Sequence, residues 1–102
     1  MDQLGHDGYF RNWRTWEPED AHAIAESWGI LLGNEHWQVI NIVRDYYKSY
    51  RLFPPNRVLI NLMSKEKGLE KANSIYLMQL FSGTPSRVLA QIAGLPKPAD
   101  CD

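Results

Sequence analysis

Apolar positions along the chain recur at helical spacing, and prolines and glycines cut that pattern into five pieces. In "TWEPEDAHAIAESWG" the spaced positions are Ala21, Ile24, Ala25 and Trp28. Pro18 stands in the first turn, Glu17, Glu19 and Asp20 put negative charge at the positive end of the helix dipole, and Gly29 is the stop. The strongest pattern is "GNEHWQVINIVRDYYKSYRLF", with Gly33 or Asn34 as cap. Trp37, Ile40, Val43 and Tyr47 form one stripe, which Val39, Ile42, Tyr46 and Tyr50 widen. So broad a face predicts a central helix packed from two sides. Pro54 and Pro55 open "PNRVLINLMSKEKG", with Val58, Leu59, Leu62 and Met63 inward and Gly68 as breaker. The fourth piece, "LEKANSIYLMQLFSG", turns Ile75, Met78 and Phe81 inward with Leu77 and Leu80 alongside. Thr84 and Pro85 supply a cap and a first-turn proline for "PSRVLAQIAG", where Val88, Leu89 and Ile92 point inward until Gly94.

Ahead of the helices, "HDGYF" predicts a turn leading into a short extended piece. The expected fold is mainly α, a compact five-helix orthogonal bundle with a short irregular or β-like N-terminal segment. Residues 1–94 form the helical domain and residues 95–102 a flexible C-terminal arm. Pro96 and Pro98 stiffen that arm, which in polyproline-like form reaches on the order of 25 Å.

Composition narrows the function classes. The 102 residues fit one soluble domain, and a net charge of −1 removes any bulk attraction to nucleic acid or membrane. A single cysteine cannot close an intramolecular disulfide and fits a reducing compartment, so a cytoplasmic location is expected. His6 and His22 show no ligand spacing, so neither a metal nor a cofactor is expected. The N-terminus lacks the basic and apolar regions of a signal peptide, and no apolar run approaches a membrane span.

The candidate chemistry is concentrated in the tail "GLPKPADCD". Cys101 is flanked by Asp100, Asp102 and a terminal carboxylate, which disfavour a thiolate, with Lys97 alone opposing them. A partner must therefore activate the thiol, or the tail must dock on cations of the body, for which Arg57, Lys71 and Arg87 are candidates. The bland alternative is an accidental cysteine on a loose terminus. His36 reads as a capping or packing histidine, and Trp37 and Tyr47 as core rather than a base-stacking platform. A helix-turn-helix at "SKEKG" would bind nucleic acid, but the outward positions Glu70, Lys71, Asn73 and Gln79 give no basic stripe.

Three separated blocks and the tail carry a resemblance. They are "EHWQVI" from Glu35, "PPNRVL" from Pro54, and Asn73-Ser74-Ile75-Tyr76-Leu77 with Leu80-Phe81, followed by the penultimate Cys101 after "IAGLPKP". Together, from about Gly8 to the end, they resemble the DsrC/TusE family of sulfur carriers. The resemblance implies that Cys101 carries sulfur as a persulfide, taken from an upstream sulfurtransferase and passed downstream. In the TusE branch the implied partners are a TusBCD-like complex and a tRNA thiolase on the way to 2-thiouridine, so tRNA is met only indirectly. The DsrC branch serves dissimilatory sulfite reductase and uses a second cysteine at the position that is Ala90 here, which favours the one-thiol, TusE-like branch. Such a carrier is a sulfurtransferase without a self-contained active site. Departures from the family pattern are a shortened N-terminus, Ala72 for a usual glycine, Arg87-Val88-Leu89 on the last helix and an acidic Asp102. They touch the partner surface more than the carrier chemistry, and leave room for a paralogue that works with a different sulfur-transfer system; a third reading is a structural or regulatory paralogue that only binds the relay's partners.

Overall fold

The computed structural model describes residues 3–66 and 72–98. Five α-helices follow a single 3-10 turn at Trp13–Thr15: α1 Pro18–Ser27, α2 Asn34–Tyr50, α3 Asn56–Glu66, α4 Ser74–Phe81 and α5 Pro85–Ile92. No strand forms among the described residues, so the fold is mainly α. The "HDGYF" turn is present, closed by one antiparallel bridge between Leu4 and Phe10 and by the Gly5 N–H donating to Tyr9 O at 2.8 Å. Its aromatic pair is an anchor, since Tyr9 and Phe10 are both buried.

The helix ends follow the chemistry of their sequences. The Glu17 N–H donates to the Asp20 carboxylate at 2.9 Å, with Pro18 in the first turn. Gly33 rather than Asn34 occupies the N-cap of α2, where its N–H donates to His36 Nδ1 at 3.1 Å. His36 Nε2–H then donates to Leu80 O at 3.0 Å, and the ring meets Phe81 edge-on at 5.3 Å. One imidazole thus caps α2 and holds the end of α4. Asn73 caps α4 by accepting the Tyr76 N–H at 2.8 Å. Thr84 sits at the N-cap of α5 without a side-chain cap bond, and Pro85 follows it.

Helix α5 lies at the centre of the packing. It meets α1, α2 and α4, while α2 also packs on α3. Val88, Leu89 and Ile92 are fully buried, as are Val39, Ile40 and Val43 of α2 and Phe81 of α4. The inward positions of α3 are Leu59 and Met63, with Leu62 packed at the edge of the core and Val58 half-buried.

Four residues expected inward are exposed. Ile75 and Met78 are exposed, at 67% and 46%, because α4 faces the core with Leu77, Leu80 and Phe81 instead. Trp28 is also exposed; it leaves the α1 stripe to donate its indole N–H to Gln91 Oε1 at 3.0 Å. On α2, Tyr50 stands 62% exposed against Tyr46.

Candidate functional site

The route from the core to the tail begins at the end of α5. Gly94 has φ +73°, and the chain closes there in a Schellman turn: the Gly94 N–H donates to Gln91 O at 3.2 Å and the Leu95 N–H to Ala90 O at 2.9 Å. The next two carbonyls take partners from outside the helix. Ile92 O accepts the Trp16 indole N–H at 2.9 Å, and Ala93 O accepts from Arg44 Nη1 at 2.7 Å. The other arm of that guanidinium donates to Trp13 O at 3.0 Å, and its Cζ lies 4.0 Å from the Trp16 ring centre. Partial burial lowers the Arg44 pKa and nearby Asp45 raises it, the first effect being the larger. The group still stays cationic, because arginine starts so high.

Leu95 is fully buried, Pro96 and Lys97 are exposed, and Pro98 is buried again. Pro98 lines an open groove of about 440 Å³ together with Leu52, Phe53, Asn56, Ser74, Met78 and Arg87. The groove also takes in Pro54, Pro55 and the Thr84–Ser86 start of α5. Three helix N-termini therefore border it: α3 from Asn56, α4 from Ser74 and α5 from Pro85. Asn56 Nδ2 donates to Ser74 Oγ at 3.0 Å and ties two of them together. Their positive dipole ends and the Arg87 cation make this rim favourable to negative charge.

Of the candidate cations, the structure brings Arg87 and Lys97 together. Both line a hollow of about 230 Å³ with Asp7, Tyr9, Trp28 and Gln91. Arg57 is exposed early on α3 and does not line the groove. Cys101 and Lys71 lie outside the described residues, as do Lys67 and Gly68 of the "SKEKG" joint on which a helix-turn-helix reading depends. Ala90, where the resemblance implies a second cysteine in the DsrC branch, is fully buried on α5. Among the described residues no three of His, Cys, Asp and Glu gather as metal ligands, and no helix is long and apolar enough to cross a membrane.

Trp16, Arg44 and Pro98 were not among the sequence candidates. Arg44 left a signal: it falls on the same helical face as Trp37, Ile40 and Tyr47, where a cation needs a buried partner. Trp16 left none, because its hydrogen-bond partner is a backbone carbonyl at the far end of the chain.

The family described as DsrC like protein matches residues 2–101. The chain belongs to this DsrC-like family. The sulfurtransferase TusE of Escherichia coli K12 is 42% identical over 95 residues, covering 93% of this chain and 87% of that protein. The solution structure of Allochromatium vinosum DsrC superposes with a TM-score of 0.86 at 39% identity, over 97% of this chain and 88% of that one. The oxidized γ-subunit of dissimilatory sulfite reductase (DsrC) from Archaeoglobus fulgidus gives 0.85 at 36% identity, over 97% and 90%.

Proposed function

We propose that this DsrC-like chain is a sulfur-relay carrier whose cargo site is Cys101. The observation that carries the reading is a single cysteine three positions beyond Pro98, which lines the anion-favouring groove, in a chain 42% identical over 95 residues to a sulfurtransferase. In the proposed step the Cys101 thiolate attacks the outer sulfur of a donor persulfide. A new S–S bond forms, the donor S–S bond breaks, and the donor leaves as thiolate, so no net oxidation occurs. An acceptor thiolate repeats the attack on the Cys101 persulfide. Thiol exchange of this kind needs access and thiolate character rather than a catalytic triad.

The acidic tail works against a thiolate, and the groove rim supplies the opposite field. Arg87 and the three helix N-termini favour both the thiolate and the neighbouring carboxylates. Lys97 adds a cation on the tail itself. Arg57 and Lys71 remain candidates for contacts with an acidic partner.

Within the family, the TusE side is the better fit. Alanine at position 90 leaves no second thiol, so a disulfide or trisulfide within one chain cannot form. The proposed partners are a TusBCD-like donor complex and a tRNA thiolase, in the cytoplasm, with tRNA thiolation as the end of the relay. Incubation with a persulfidated donor protein followed by intact-mass measurement tests the carrier step. The expected result is a gain of one sulfur by the native chain and none by Cys101→Ser. An equal gain in both would overturn the assignment.

A further inference from the structure

The root of the tail is held more firmly than a swinging arm from Gly94 would be. After the Schellman turn the chain touches down twice, at fully buried Leu95 and at buried Pro98, with only Pro96 and Lys97 exposed between. Every carbonyl from Leu89 to Ala93 accepts a hydrogen bond, and the last two bonds come from Trp16 and Arg44. Trp16 also closes over the turn: a Cβ added to Gly94 would stand 2.2 Å from Trp16 Cδ1. Arg44 forks between two carbonyls from opposite ends of the chain, one on each arm of its rigid planar guanidinium.

We propose that Arg44 and Trp16 are positioning residues for sulfur transfer, clamping the tail so that Cys101 swings from Pro98 and not from Gly94. The inference rests on the carrier reading above and adds to it where the thiol can go. Seven residues from Gly94 would let the thiol range over about 25 Å, whereas three residues from Pro98 confine it to about 10 Å. Donor and acceptor must then present their sulfur atoms at the same face, beside the groove, one after the other. Leu52 and Met78, exposed at 58% and 46%, line the groove at that face.

The test uses the whole chain, whose only cysteine accepts one label. Amide exchange by NMR is expected to show Leu95 N–H protected to the level of the α5 core, at least a hundredfold beyond an unstructured amide. A spin label on Cys101 is expected to be restricted in the native chain and more mobile in Arg44→Lys and Trp16→Phe. In those variants Gly94 and Leu95 amides should lose at least tenfold more protection than amides of α2 and α3. A merely structural role would lower all amides together and leave the label unchanged. That outcome, or unprotected Leu95 in the native chain, overturns the clamp. None of these readouts involves sulfur, so failure of Cys101 to gain sulfur would count against the carrier reading alone.

Discussion

Gly94 shows most directly how one residue governs this molecule. Its φ of +73° lies in the left-handed region, and its missing Cβ is the space Trp16 fills. Gly94→Ala therefore meets two costs at once, left-handed strain and a collision with an indole that is itself hydrogen-bonded. A loss of about 2–4 kcal/mol is expected, measured by urea unfolding. Tyr76 supplies a second prediction at this scale. Partial burial, a 2.6 Å hydrogen bond donated to Glu35 and the charge of that carboxylate push its pKa up to about 12. A raised pKa in the folded state stabilises the fold below the ordinary tyrosine value near 10, and that stabilisation is lost as pH rises through about 12. In an alkaline absorbance titration one of the five tyrosines should ionise last, and Glu35→Gln should bring it down towards the others.

At the scale of elements, the joint between α2 and α4 depends on one imidazole ring. His36 accepts from Gly33 and donates to Leu80, so His36→Ala removes a cap and an interhelix bond together. A loss of about 1–3 kcal/mol is expected, with amides at the start of α2 and the end of α4 losing protection first in hydrogen exchange. The helices themselves were legible because Pro18, Pro55, Pro85, Gly29 and Gly94 mark their ends, and those marks act through local backbone geometry. Which face α4 buries was not legible. Six of its eight residues are apolar or aromatic, so the pattern defines no unique stripe, and packing against α5 chooses Leu77, Leu80 and Phe81. Trp28 escaped for a related reason: its indole N–H needs an acceptor, and Gln91 lies 63 positions away in the chain.

For the molecule as a whole, the inferred clamp makes the body a mount for the chain up to Pro98. The family was readable because three separated sequence blocks carry it, and the carrier role proposed for Cys101 follows from that family. The mount was not readable, because it joins Trp13 and Trp16 near the start to α5 near the end through backbone carbonyls that carry no sequence signature. The groove face gives a prediction at this scale. Met78→Glu changes an exposed side chain, so the melting temperature should hold while sulfur uptake from a protein donor falls at least tenfold and uptake from glutathione persulfide does not. Equal uptake from both would place the docking face elsewhere. Finally, the ring that closes over Gly94 is a fluorophore with a guanidinium 4.0 Å from its centre and another indole 6.4 Å away. Its emission depends on that cation, on the N–H bond to Ile92 and on its distance from Trp37. With Trp13 and Trp28 replaced by phenylalanine, the unlabelled protein would signal each release of its tail as a change in colour and brightness.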